Sequence, residues 1–283
     1  MDQLLWGSRW TGFQVPRLVR QAVFVEEQGF ALEFDRQDDT ALHLSLLRDG
    51  QPAGCARLFR EAGDVFHLGR VAVLPAFRNH GLGRLLVEEA ARKAARLGCR
   101  RLVLSAQCHA LGFYDRLGYR PQGEPFLDEH CPHQEMAKDL ETDLPLVRWH
   151  LPGEGCPAAL ALRRQVFAGE LGVPVEEDPL DSRSHLLLLA QDGQALATAR
   201  LTPQEDGVVK FSRLAVDPRC RGKGLGALLL ENLSFRAMEL GYRRGWLSAR
   251  AAVLPFYQKA GFLPQGEPYR EEGETHQAVW ARL

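Results

Sequence analysis

The sequence predicts an α/β protein made of two tandem domains of one fold, each a mixed β-sheet flanked by helices. Three observations carry this. At 283 residues the chain accommodates two domains of ordinary size. It repeats itself at one offset over nearly its whole length. Within each copy, apolar strand-like runs alternate with amphipathic helical segments in the order β-α-β-β-β-α-β-α-β-β.

The repeat is direct. Arg70-Val71-Ala72-Val73-Leu74-Pro75 returns 143 residues later as Arg213-Leu214-Ala215-Val216-Asp217-Pro218. The same offset aligns Gly81-Leu82-Gly83 with Gly224-Leu225-Gly226, and Pro121-Gln122-Gly123-Glu124-Pro125 with Pro264-Gln265-Gly266-Glu267-Pro268. Trp6 meets Trp149, and Arg20, Val23 and Phe24 meet Arg163, Val166 and Phe167. Only the stretch around His43 and His185 slips by one. Units this long are tandem domains rather than solenoid repeats. The seam falls in the polar stretch Glu141 to Pro145, between a domain over residues 1–141 and one over residues 145–283. So short a linker predicts a monomer whose two domains pair as an internal pseudo-dimer.

In the first copy, residues 4–6 read as a short strand. Residues 15–28 read as a helix, with Leu18, Val19, Ala22, Val23 and Val25 on one stripe. Residues 41–47 and 53–61 are strands joined by the hairpin signal Asp49-Gly50. Residues 65–74 turn apolar, as a central strand does. A loop at 75–80 leads into a strong helix over 81–97, stopped by Gly98. A buried strand at 101–105, a short helix at 110–117 ended by Gly118, and strands at 119–126 and 133–140 complete the copy.

Composition excludes several classes. With 35 basic and 36 acidic residues, no basic face is implied, and nucleic acid is not an expected partner. The start lacks a basic n-region and a long apolar h-region, and no run reaches the ~18 apolar residues that span a bilayer. The six cysteines include no C-x-x-C pair. Cys131-Pro132-His133 could supply two metal ligands but has no partner pair at zinc-type spacing, so no metal is expected. Reduced thiols and the absence of a leader point to the cytoplasm.

The chemistry concentrates where a strand passes through a glycine-rich turn into a helix. The segments are Arg78-Asn79-His80-Gly81-Leu82-Gly83-Arg84 and Arg221-Gly222-Lys223-Gly224-Leu225-Gly226-Ala227. Glycine lets backbone N–H groups approach an anion, and the helix N-terminus adds a favourable dipole. A capped tight turn would explain one such loop as well as a pyrophosphate cradle does, but not two in the same context. The spacing R-x-x-G-x-G is neither a P-loop nor a dinucleotide fingerprint.

Together with a downstream F-Y-x-x-x-G-[FY], present as Phe113-Tyr114 to Gly118-Tyr119 and Phe256-Tyr257 to Gly261-Phe262, this resembles the GNAT superfamily of acetyl-CoA-dependent N-acetyltransferases. The resemblance covers both halves. The first copy also resembles the ElaA-like branch through Arg20 to Gln28, Gly69-Arg70-Val71, Ser105 to His109 and Pro132-His133. The second departs at Ser248-Ala249-Arg250, where the first has Gln107; the first departs at Asn79, where the second has Gly222.

The resemblance implies a sheet splayed at its centre, with acetyl-CoA as co-substrate and an amine as acceptor. Val71, Ala72 and Val73, and Leu214, Ala215 and Val216, would bond the pantetheine arm. The loops 78–84 and 221–227 would hold the pyrophosphate, with Gln107 and Arg250 beside the cofactor. Tyr114 and Tyr257 map to the family's general acid. Without that context each tyrosine reads as a core aromatic beside its Phe. The residues leave the base open among Glu33/Glu176, Asp35/Asp178, Asp38/Asp181, Glu124/Glu267 and His133/His276. The acidic stretches could attract a cationic amine or be solvated loops, and the histidines suit structural roles. Arg70 and Arg213 suit internal ion pairs. An acyl-CoA-sensing module with silent repeats is the alternative function.

Overall fold

The computed structural model covers the 283-residue chain and describes residues 1–169, 172, 178–271 and 273–283. It divides into two units, Met1–Asp143 and Leu144–Leu283.

The first unit has strands β1 (Asp2–Gly7), β2 (Leu42–Arg48), β3 (Gln51–Ala62), β4 (Val65–Val73), β5 (Arg101–Gln107), β6 (Arg120–Asp128) and β7 (Cys131–Asp139). Their order in the sheet is β1-β2-β3-β4-β5-β7-β6. Every pairing is antiparallel except β4 with β5. Helices α1 (Gln14–Arg20), α2 (Leu82–Arg96) and α3 (Leu111–Arg116) complete it. The β2–β3 hairpin turns on Asp49 and Gly50, both at positive φ (51° and 79°), as the primed two-residue turn requires. α2 buries Leu82, Leu86, Val87, Ala90 and Ala94 along one stripe. That spacing of three and four residues faces the sheet core of Leu44, Leu58, Phe66 and Leu102. Gly98 closes the helix at φ 90°.

The first helix differs from expectation. It is α-helical only over Gln14–Arg20 and continues as a π-helix over Gln21–Glu27. The N–H of Gln28 accordingly reaches back five residues to the Val23 carbonyl at 3.1 Å. The second unit repeats this, with α4 over Pro157–Arg163 followed by a π segment over Arg164–Ala168. Such turns are rare, and hydrophobic periodicity alone does not reveal them.

The second unit carries β8 (Leu146–His150), β9 (His185–Gln191), β10 (Gln194–Pro203), β11 (Val208–Val216), α5 (Leu225–Glu239), β12 (Arg244–Arg250), α6 (Leu254–Lys259), β13 (Leu263–Pro264), β14 (Tyr269–Glu271) and β15 (Glu274–Arg282). The strand order is β13-β15-β12-β11-β10-β9-β8, with β14 also on β15. The single β6 of the first unit is here two pieces. The intervening Gln265 to Pro268 contains Gly266 at φ 78°. The matching Gly123 (φ 63°) makes a bulge within β6 instead.

Two features at the sheet centre recur in both units. The parallel ladder between β4 and β5 covers only Val65, Phe66 and His67 against Arg101, Leu102 and Val103. That between β11 and β12 covers only Val208 to Lys210 against Arg244 to Trp246. Beyond these pairs the strands part. On the opposite edge β4 bulges: Cys55 pairs with Ala72 but Arg57 with Gly69. The extra residue places Arg70 at φ 53°. Arg213 sits at φ 55° in the matching bulge, where Thr198 pairs with Ala215 and Arg200 with Ser212.

Among the described residues no helix is long and apolar enough to cross a membrane. The six cysteines are free thiols.

His43 on β2 is fully buried, with Nε2 3.0 Å from the Asp38 carbonyl. Burial, reinforced by Arg20 and Arg57, holds its pKa down at about 4 instead of 6.5. The unfolded chain therefore binds this proton near pH 6.5 and the folded chain only near pH 4. The stability His43 confers is complete above pH 6.5 and is lost as pH falls toward 4, by about 2 kcal/mol at pH 5. Urea unfolding at pH 7 and pH 5 should show this loss, and His43→Gln should flatten it. An unchanged pH slope in the variant would contradict the assignment.

Candidate functional site

The turn between β4 and α2 is built by backbone conformation. Asn79 lies at φ 64° and Gly81, the residue capping α2, at φ 76°. In the second unit Gly222 and Gly224 take φ 76° and 80°. Asn79 thus adopts the left-handed geometry of its glycine counterpart, which asparagine tolerates better than most residues. A Cβ at Gly81 or Gly224 would meet nothing within 4 Å, so glycine serves conformation there and leaves open space beside the backbone. Neither helix start has a side-chain cap. The first-turn N–H groups have no intrahelical partner, so they can bind an anion.

The last glycine of each loop has a different job. A Cβ at Gly83 would lie 3.4 Å from the Phe113 ring, and one at Gly226 3.0 Å from that of Phe256. The Phe of the F-Y element therefore packs on the first turn of the helix. This contact joins two motifs that lie about 30 residues apart in sequence.

In the first unit these parts surround a cleft of about 980 Å³. Val71, Ala72, Val73, Arg78, Asn79, Gly81, Leu82, Gly83, Arg84, Gln107 and Tyr114 all line it. His80 does not; its Nδ1 lies 2.7 Å from the Arg78 carbonyl. Arg78 does not reach freely into the space. It grips Glu27 of the first helix in a bidentate pair (2.7 and 2.5 Å) and donates to the Val73 carbonyl at 3.0 Å. Its hydrogen bond pulls the Glu27 carboxyl below the usual range. Gln107 donates to Gln28 at 2.9 Å across the cleft.

In the second unit Leu214, Ala215 and Val216 end β11 beyond its ladder with β12. Arg221, Gly222, Lys223, Gly224 and Ala227 are exposed, while Leu225 is buried and Gly226 half-buried. Arg250 pairs with Glu274 at 3.3 Å instead of making the glutamine contact of the first unit.

Tyr114 stands on α3, its ring 4.9 Å from Phe113 and 5.8 Å from Tyr119. Burial raises its pKa. Tyr257 is pushed up to about 12 by burial. Both phenols stay protonated at neutral pH and can donate a hydrogen bond.

Glu33, Asp35 and Asp38 are all ion-paired; Glu33 and Asp38 are buried, and Asp35 is exposed. Arg20, fully buried, binds Glu33 at 2.6 Å and Asp38 at 2.7 Å. Arg57 binds Asp35 at 2.7 Å and Asp38 at 2.8 Å. Arg70 binds Glu33 at 3.0 Å and Asp35 at 3.2 Å. Burial pushes the Asp38 carboxyl up, but Arg20 and Arg57 outweigh it and hold it at about 2. Burial of Glu33 prevails over Arg70 and Arg20 and raises its pKa. In the second unit Arg163 binds Asp181 at 2.9 Å, Arg200 binds Asp178 and Asp181, and Arg213 binds Asp178. Glu176 and Glu177 lie outside the described residues.

His133 lines the cleft with Nδ1 2.9 Å from the Cys131 carbonyl, between Phe30 and Phe126. His276 stacks on Tyr269. Glu124 and Glu267 are exposed, and Glu124 does not line the cleft. Among the described residues no three His, Cys, Asp or Glu side chains cluster for a metal.

Sequence reasoning missed three features. Glu129 accepts the N–H groups of Ala31 and Leu32, each at 2.9 Å, and so ties the loop after the first helix to the β6–β7 turn. Gln28 pairs with Gln107 across the cleft. In the second unit Tyr269 donates to Ser248 at 2.6 Å, and Ser248 to Glu271. These partners lie 21 to 98 residues apart, so no local spacing signals them.

This arrangement agrees with what the chain resembles among known proteins. A family model described as acetyltransferase (GNAT) domain matches residues 18–140, and one described as acetyltransferase (GNAT) family matches residues 159–262. A Bacillus subtilis protein bearing an acetyltransferase name is 35% identical over 131 residues, 44% of this chain and 88% of that protein. The uncharacterized N-acetyltransferase YjcF of Bacillus subtilis is 34% identical over 124 residues, 43% of this chain and 88% of that protein. Two solved structures are similar: an acyl-CoA N-acyltransferase from Pseudomonas aeruginosa (29% identity, TM-score 0.44, 48% and 98% of the two chains) and Escherichia coli ElaA (23%, 0.46, 49% and 100%). On the two models and the sequence relatives, the chain belongs to the GNAT family. It is an acetyl-CoA-dependent N-acetyltransferase with two GNAT domains in tandem.

The loop geometry has a direct test. A β-branched residue at the φ of Asn79 is strained by roughly 1–2 kcal/mol. Asn79→Val should lower stability by about that amount in urea unfolding, while Asn79→Gly should be neutral. Equal effects of the two would show that Asn79 is not held in the left-handed region.

Proposed function

We propose that the chain transfers the acetyl group of acetyl-CoA to a primary amine of a small molecule or peptide, by direct attack in the cleft of the first repeat. One observation carries this reading. The bare N-terminus of α2, the unpaired edge of β4 past His67, and Tyr114 all face one cleft of about 980 Å³. That volume suits a cofactor-sized ligand.

The residues present fit the co-substrate. N–H groups of the first turn of α2 would bond the pyrophosphate oxygens. Strand-edge groups of Val71 to Val73 would run beside the pantetheine amides. The neutral amine attacks the thioester carbonyl, forming a C–N bond and a tetrahedral oxyanion that strand N–H groups stabilise. The C–S bond then breaks, the amine proton passes to water, and the amide forms. Tyr114 donates a hydrogen bond to the departing sulfur. As general acid it shares its proton with the leaving thiolate, which ends as the free thiol, and the phenol is reprotonated from solvent. No carboxylate of the Arg20 cluster serves as base here. Each is ion-paired, so a water chain to bulk carries the amine proton.

The test is a thiol-release assay with acetyl-CoA and a panel of amines. Turnover of at least one amine is expected. Tyr114→Phe should lower kcat roughly 10²-fold with acetyl-CoA affinity kept, and Tyr257→Phe should change it little. Acetyl-CoA binding without thiol release for any amine would overturn the enzyme reading in favour of an acyl-CoA sensor.

A further inference from the structure

We propose that Arg70 is a positioning residue, and Arg213 its equivalent, that fixes the loop following the first helix against the splayed strand on which the acyl group would lie. This deepens the acetyl-transfer reading and rests on it only for the kinetic part of its test.

The backbone at both positions is strained. A bulge residue in the left-handed region is ordinarily glycine, which adopts it without steric cost. Here two arginines occupy it, at φ 53° and 55°, in bulges of identical register shift. A strained residue kept twice implies that the side chain compensates.

What the side chain does is visible in its partners. The Arg70 guanidinium reaches Glu33 Oε1 at 3.0 Å and Asp35 Oδ2 at 3.2 Å, and donates to the Glu33 carbonyl at 3.3 and 3.4 Å. It is thus bonded to both the side chains and the backbone of the 30–40 loop. The other two arginines of the cluster, Arg20 on α1 and Arg57 on β3, are buried behind it. Of the three, only Arg70 lines the cleft. It is also the one on β4, the strand that separates from β5. Leu32 and Glu33 line the cleft from the loop side. Arg70 therefore sets the distance between the strand edge that takes the thioester and the loop facing it. In the second unit Arg213 makes the matching bond to Asp178 at 3.2 Å, and Asp178 is shared with Arg200 at 2.6 Å.

The pyrophosphate loop at 78–84 lies outside this cluster. Removing the guanidinium should therefore disturb the acceptor side and spare the cofactor side. Arg70→Gly is the informative variant, because glycine relieves the strain while deleting the ion pairs. CoA affinity by calorimetry should stay within about twofold of the wild type. Amide hydrogen exchange in residues 31–40 should accelerate at least tenfold. With an amine that turns over, its KM should rise at least tenfold while kcat falls less than threefold. Arg70→Lys should recover part of the loss, and guanidinium ion added to Arg70→Gly should lower KM again. Unchanged exchange in residues 31–40 would reduce Arg70 to a bulge residue. A parallel fall in CoA affinity would place its role in the cofactor site instead. Either result overturns the proposal. Both arms read out even if no amine is acetylated, which separates failure here from failure of the catalytic reading. If Arg70→Gly does not fold, Arg70→Asn, which tolerates the same φ and also deletes the ion pairs, carries the same comparison.

Discussion

Three residue pairs join β4 to β5, and past His67 the ladder stops although both strands continue. This parting is the constraint from which the site follows. Backbone N–H and C=O groups in the middle of a sheet are normally paired, and leaving one buried without a partner costs about 1–3 kcal/mol. A fold that opens its own centre must give those groups solvent or a ligand, so the opening is a cleft by necessity. The bulge at Arg70 bends β4 away on one side, and the turn from β4 delivers the bare end of α2 to the mouth of the cleft. Phe113 against Gly83 then holds the helix, and with it the tyrosine of α3, in register with the opening.

Duplication has kept this geometry better than it has kept the side chains around it. The short parallel ladder, the arginine bulge, the glycine cap and the π segment after the first helix occur in both units. What differs is the set of polar contacts at the ends of β5 and β12. The first unit sets Gln28 against Gln107. The second pairs Arg250 with Glu274 and links Tyr269 through Ser248 to Glu271. The two units thus share a backbone scaffold while the polar contacts around it diverge.

The sequence made legible whatever is encoded locally. The primed turn at Asp49-Gly50, the αL position at Gly81 and the stop at Gly98 each depend on one residue's backbone freedom, and composition displays that directly. The left-handed turn leading into α2 was readable for the same reason, and the splay only through family resemblance. Side-chain placement was readable only in part: Arg70 and Arg213 make the internal ion pairs expected of them, but the rest of the network was hidden. Glu33, Asp35 and Asp38 look like a solvated acidic loop or a set of bases, because nothing local shows that arginines 13 to 37 residues away neutralise them. The pairing is set by α1, β3 and β4 converging on one point. Asn79 departs from Gly222 in residue type, yet both lie at positive φ, 64° and 76°.

The most direct measurement is a crystal structure of the full chain soaked with acetyl-CoA. The expected result is a pyrophosphate within about 3 Å of N–H groups at residues 82–84 of the first unit, with the pantetheine arm along residues 71–73 and the acetyl carbon facing Tyr114. Density lying elsewhere, or an empty first cleft under saturating acetyl-CoA, would contradict the account that the parting of β4 from β5 builds the site.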